Sequence, residues 1–309
     1  MNKSWLKNKV LAGPLLIALA ASLWAFDGVV RRSLFVLTPL TIVFYEHLVG
    51  TVFLAPQFRQ INWLQVKKVA GSLAFVTVFS GLLGTLWFTS ALLAVQFISF
   101  SVVFLLQKLQ PIFAIGSAKL LLGEQLSKRY LLWAGVALVA AYFVTFPTGR
   151  VVLSEQGNNV LAALYALGAA FGWGVSTTFS KKMLTVLPSQ SATALRFGAT
   201  TLLALLVLLA TQGFAGIIAP TASQWARFIF IALSTGMVAL MIYYKGLKIT
   251  PVKVSTIMEL IFPLLAVFID AVIYKTYLVP VQYLAAAVLL YAAARVAQTV
   301  KNGKQVIKA

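Results

Sequence analysis

The chain has no cysteine, a single histidine (His47), and only 6 acidic residues among 309. Without cysteine there is no disulfide, thiolate metal site or cysteine nucleophile, and the redox compartment goes unmarked. One histidine excludes a His-Glu-x-x-His zinc helix, and neither a Gly-x-Ser-x-Gly elbow nor a Walker A loop occurs. The sequence therefore predicts no enzyme, no metal and no cofactor. Charge is scarce overall. Charged residues make up 10% of the chain, against roughly a quarter in a soluble protein. A water-facing surface cannot be built from so few. What is present is apolar: 61% of residues are hydrophobic and the mean hydropathy is +0.94. Such a chain belongs in lipid.

The missing acids leave a strong imbalance, with 25 lysines and arginines and a formal charge of +19. In a soluble protein that excess would suggest nucleic acid. Here most of it sits in short segments between apolar runs, where basic residues orient spans and meet lipid headgroups. No nucleic-acid partner is expected. Lys3, Lys7 and Lys9 precede an apolar run to about Val30, too long for a signal-peptide core, so the run reads as an uncleaved first helix.

Requiring about 20 mostly apolar residues per span places ten spans, at 10–30, 38–56, 69–92, 97–121, 129–147, 158–180, 189–211, 225–246, 252–274 and 279–299. The longest connection runs from Pro147 to Asn158 and carries Gly149, Arg150, Glu155 and Gly157. It divides a first half, 1–147, from a second, 158–309, with 148–157 as linker. With the N-terminus inside, 18 basic residues fall on the cytoplasmic side, among them Lys67, Lys68, Lys128, Arg129, Lys181, Lys182, Lys245, Lys248 and Lys253. Five fall on the other side: Arg31, Arg32, Arg150, Arg227 and Lys275. Both termini are then cytoplasmic. Lys108 and Arg196 lie within spans.

The halves echo each other. One shift aligns Trp24 with Trp173, Pro39 with Pro188 and His47 with Arg196; a slightly larger one aligns Gly84 with Gly236, Gln107 with Glu259 and Pro111 with Pro263. Five spans per half force the second half to insert upside-down. The expected architecture is all-α: ten transmembrane helices in two inverted five-helix repeats, with a site near midplane between them.

Gly123-Glu124-Gln125-Leu126-Ser127 after the fourth span resembles the Gly-Glu-x-Leu-Ser signature of the drug/metabolite transporter superfamily, in its EamA-type ten-helix branch. Pro111, Pro263 and Arg196 match that family's helix prolines and its span-seven arginine, and the resemblance covers nearly the whole chain. His47 stands where the first half often has arginine, and Lys275-Thr276 replaces a second Gly-Glu. The resemblance implies a multi-pass protein of the inner (plasma) membrane that exports amino acids or related metabolites. Its partners are a small-molecule substrate and membrane lipid, and the chain acts as a monomer or homodimer.

Charged groups inside a bilayer need a partner, a wet cavity or a function. Proline frees the carbonyl four residues earlier: Gln107 for Pro111, Glu259 for Pro263. The helix kinks thus set polar side chains beside unpaired carbonyls. Gln107, Lys108 and Glu259 offer a hydrogen bond, a cation and an anion to a zwitterion; a Lys108–Glu259 bridge that only holds or gates the halves is the other open reading. Ser255, Glu259, Phe262, Ala266 and Asp270 share one face of span nine. Asp27 precedes Arg31 by one helical turn and pairs with it. Glu46, His47 and Arg196 read either as a Glu46–Arg196 pair with a His47 proton relay or as inter-helix glue. Trp24, Trp87, Trp173, Tyr243 and Tyr244 are candidates for stacking on substrate, Trp24 and Trp173 foremost because they are symmetric. Trp5, Trp63, Trp133 and Trp225 read as interfacial belt residues. Gly168, Gly172 and Gly174 form a small-residue face, expected against span one. Without a nucleotide-binding domain, transport runs downhill or on an ion gradient. Competing substrate classes are organic cations or drugs, and nucleotide sugars or organic phosphates; the last would want several midplane cations. An intramembrane enzyme lacks its catalytic constellation.

Overall fold

Residues 3–93, 107, 109–150, 159–274 and 279–299 are described by a computed structural model, and among them every regular element is a helix. The first half contains α1 (Lys3–Trp24), α2 (Asp27–Arg32), α3 (Pro39–Phe53) and α4 (Ala70–Phe75), which runs into a π-helical segment, Val76–Gly84, and then α5 (Thr85–Leu93). After the undescribed stretch come α6 (Gln110–Leu122) and α7 (Lys128–Thr145). The second half contains α8 (Asn159–Val186), α9 (Ser189–Gln212), α10 (Ala222–Leu233), α11 (Met237–Ile249), α12 (Val252–Met258), α13 (Ile261–Tyr274) and α14 (Pro280–Gln298).

Among the described residues four stretches are long and apolar enough to cross a membrane: Ala70–Ala91, Ser189–Gln212, Ala222–Ile249 and Pro280–Gln298. Leu11–Trp24, Pro39–Phe53 and Gln110–Leu122 are shorter apolar helices. Their outer faces are apolar too, as at Leu202, Leu206 and Leu284. Large side chains so exposed would be a liability in water and suit a multi-pass membrane protein.

The pairing of helices follows the two halves. α1 packs on α11, and the π-segment packs on α8; α6 packs on α8, and α12 and α13 pack on α1. α3 meets α9, and α7 meets α14. Exchanging each helix for its counterpart in the other half returns these same pairings. The crossings are close because small residues meet there: a Cβ on Gly246 would lie 2.8 Å from the Gly13 carbonyl oxygen. The glycine face of α8 serves other neighbours than expected. Gly168 abuts Trp87, Gly172 the Phe79 carbonyl, and Gly174 the Gln110 carbonyl and Phe113. α8 therefore presses on the third and fourth apolar segments rather than on α1.

The Gly-Glu-x-Leu-Ser motif is a pair of helix caps. Gly123 ends α6 at φ 65°, the left-handed region that a side chain disfavours. Ser127 caps α7 by accepting from the Tyr130 amide at 3.2 Å. Between them the Glu124 carboxylate reaches across the halves and accepts from the Val252 and Lys253 amides at 2.7 and 3.0 Å, at the start of α12. Tyr130 donates to the Lys253 carbonyl, and the Lys253 ammonium to the Gln125 carbonyl. Beside them Lys181 donates to the carbonyls of Leu247, Lys248 and Thr250, at and just past the end of α11. The belt tryptophans that are described lie peripherally: Trp63 is exposed, and Trp133 stacks with Arg295 and Tyr291.

Candidate functional site

Helices break where the two halves face each other. α1 gives way to α2 after Trp24, α10 to α11 at Ser234–Gly236, and α12 to α13 at Glu259–Leu260. The third apolar segment is π-helical around Ser80. Each break leaves backbone groups out of the regular ladder, a condition tolerated at membrane depth only against protein or a polar cavity. All of them border one cavity of about 220 Å³, several times the roughly 30 Å³ share of a water molecule.

Three polar groups furnish its wall. In the first, Asp27 accepts from Arg31 Nε at 2.6 Å and Nη2 at 3.2 Å, and from Thr235 Oγ1 at 2.8 Å. Arg31 Nη2 also lies 2.9 Å from Glu46 Oε2. The expected Asp27–Arg31 pair is present; the Glu46–Arg196 pair is not, because Arg31 reaches Glu46 first. In the second, Arg196 donates to Ser80 Oγ at 2.8 Å and Tyr244 OH at 3.3 Å, while Trp173 Nε1 donates to the Ser80 carbonyl at 3.2 Å. The same carbonyl, in the π-helical segment, also accepts from Thr85 Oγ1 at 3.2 Å. In the third, Glu259 accepts from Tyr243 OH at 2.8 Å, Ser255 Oγ at 3.2 Å and Gln110 Nε2 at 2.9 Å.

Trp24 and Trp173 both line the cavity, with Tyr243, Gln107, Glu259, Glu46, His47, Arg196 and Pro111. Trp24 packs on Tyr243 with ring centroids 5.2 Å apart, and Trp173 on Phe88 at the same distance. Other candidates take different places. Trp87 packs on Gly168 outside the lining. Tyr244 is fully buried behind the wall, bonded to Ser180 and Arg196. His47 turns Nδ1 to the Val43 carbonyl at 2.8 Å and packs against Phe197 with ring centroids 4.9 Å apart. Lys108 and the side chains of Asp270, Pro263 and Ala266 lie outside the described residues.

The prolines act differently from the expectation. Pro111 sits in the first turn of α6, where the missing amide costs nothing. The carbonyl of Glu259, expected to be orphaned by Pro263, accepts from the Phe262 amide at 3.0 Å in a tight turn. The unpaired groups are side-chain atoms instead: Gln107 Nε2, Arg196 Nε, Ser176 Oγ, Thr256 Oγ1 and Glu46 Oε2 are buried without a hydrogen-bond partner among the described residues, and all five residues line the cavity. Sequence reasoning missed Gln110, Ser80, Ser176 and Thr256. Gln110 carried a usable signal, since it lies one helical turn beyond Gln107; the serines and threonine did not.

The profile of the EamA-like transporter family matches residues 11–146 and 160–297. Over 285 residues, 91% of this chain and 95% of the relative, the sequence is 37% identical to the Riboflavin transporter ImpX of Fusobacterium nucleatum subsp. nucleatum. A solved structure titled "Crystal structure of protein" superposes with a TM-score of 0.72 over 94% of this chain and 98% of its own, at 17% identity. That last likeness is one of fold.

Proposed function

The chain belongs to the EamA-like transporter family, and we propose that its cargo is riboflavin or a close flavin, carried by alternating access of the central cavity. The observation that carries this reading is the composition of the wall. Trp24, Phe88, Trp173, Phe197, Tyr243 and Phe262 supply aromatic surface, and Gln107, Arg196, Ser176 and Thr256 supply unpaired polar atoms. A flavin presents a planar tricycle for the first set, and a dione edge and a hydroxylated chain for the second. The 37% identical relative, named for riboflavin transport, supports it.

Export of amino acids is the second reading, and one observation favours it. Among the described residues Arg196 and Glu259 have no ion-pair partner, and both face the cavity, as a zwitterion would require. Ten spans in two inverted halves, 1–147 and 158–309 about the linker 148–157, with both termini cytoplasmic, complete the proposal. The basic asymmetry and the exchange-invariant helix pairing support that topology.

Quenching of flavin fluorescence by the purified protein tests the cargo. Riboflavin should be quenched saturably, and Trp24→Ala should weaken the affinity at least fivefold. An absence of saturable quenching, with amino acids instead stabilising the protein against heat, would transfer the assignment to the second reading.

A further inference from the structure

The buried cluster of Asp27, Arg31 and Glu46 has a composition that the cargo does not explain. Two carboxylates share one guanidinium, so with all three ionised the cluster carries one net negative charge inside the membrane domain. Arg31 is 4% exposed, Glu46 7% and Asp27 13%. Uncompensated charge is costly there, and two acids on one cation disfavour each other's ionised form.

The two acids are not equivalent. Asp27 accepts three hydrogen bonds, two from Arg31 and one from Thr235. Glu46 has one contact, between Oε2 and Arg31 Nη2. Among the described residues its buried Oε2 has no hydrogen-bond partner beyond that ion contact, and Glu46 borders the cavity. Three donor contacts go to Asp27, while Glu46 keeps an oxygen without one.

Among the described residues no other charged group pairs directly with the cluster. From α9, Arg196 faces the same cavity but donates to Ser80 and Tyr244. From α10, Arg227 is turned to the Ser33 carbonyl. On α3 itself His47 is bonded to the Val43 carbonyl and Tyr45 to that of Ile218. α5 brings only the Thr89 hydroxyl, 3.5 Å from Arg31 Nη1.

We propose that Glu46 is the proton-coupling residue of this transporter, binding one proton on its carboxylate from one side of the membrane and releasing it to the other. Protonation makes the cluster neutral, and release leaves a negative charge facing the cavity. Thr235 lies in the break between α10 and α11, so its bond to Asp27 ties the cluster to the opposite half and lets the charge bias which way the cavity opens. The proton crosses and nothing else changes chemically. The inference rests on the chain being a transporter, not on flavin being the cargo.

Infrared spectroscopy of the purified protein tests the site without any substrate. The wild type should show the carbonyl band of a protonated carboxylic acid near neutral pH, lost on alkaline titration. Glu46→Gln should remove it, Glu46→Asp should shift it, and Glu259→Gln should leave it. No such band in the wild type, or one unaffected by both Glu46 substitutions, overturns the proposal. Should Glu46→Gln not fold, the shift in Glu46→Asp decides. In proteoliposomes an imposed gradient of one pH unit should change riboflavin accumulation about tenfold for one proton per turnover, and Glu46→Gln should make any remaining flux independent of the gradient. Wild-type flux indifferent to the gradient overturns the coupling. If riboflavin does not move but the band behaves as described, the flavin assignment fails and the proton site stands.

Discussion

Tyr243 and Glu259 stand 16 residues apart, one on α11 and the other at the break after α12, and the phenol donates to the carboxylate at 2.8 Å. The bond joins two interrupted apolar segments at the cavity wall, beside Trp24. Tyr243→Phe removes one of three donors to a buried carboxylate. It should lower stability by about 1–3 kcal/mol, read as a fall in melting temperature in detergent, and should reduce flux. An unchanged melting temperature would mean that the phenol is incidental to holding Glu259.

Arg31 is the more demanding case. Arg31→Met keeps much of the side-chain length and leaves Asp27 and Glu46 facing each other unneutralised. Loss of one partner from a buried pair typically costs about 3–5 kcal/mol, so the variant should accumulate poorly and unfold early. Adding Asp27→Asn should recover stability but not gradient-driven flux. Normal accumulation of the single variant would contradict the placement of all three groups.

Glu124 lies far in sequence from the helix that it caps. Glu124→Ala deprives the Val252 and Lys253 amides of their acceptor and should cost about 0.5–2 kcal/mol, the usual range for a lost cap, whereas Glu124→Gln should cost less. Thermal unfolding of the two variants measures the difference. Equal effects would show that the negative charge, and not the cap geometry, matters.

Much of this was legible beforehand. Apolar run lengths pointed to an all-helical chain, and the repeat of Trp24 at Trp173 pointed to two residues that both line one cavity. The i,i+4 spacing of Asp27 and Arg31 foretold their pair, because both lie on one helix. Glu46 as its third member was not legible, since the contact joins α2 to α3 and depends on how they pack. Proline chemistry misled at Pro263 because a tight turn returned a donor to the Glu259 carbonyl, a relief that the sequence does not announce. The caps hidden in Gly123, Glu124 and Ser127 were visible as a motif but not as a physical device, because the partner of Glu124 lies in the other half.

The absence of cysteine makes topology directly measurable. Single cysteines at Lys3 or Lys308 should resist an impermeant thiol reagent in intact cells, while one at Arg150 should react. Ready labelling at either terminus would invert the orientation argued from the basic residues.

In the proposed function a flavin moves through the cavity walled by Trp24, Trp173 and Glu259. Counterflow in proteoliposomes tests it most directly: vesicles loaded with unlabelled riboflavin should take up labelled riboflavin, and the uptake should fall at least tenfold in Trp173→Ala. Uptake equal to that of empty vesicles, or a Trp173→Ala variant as fast as the wild type, would contradict it.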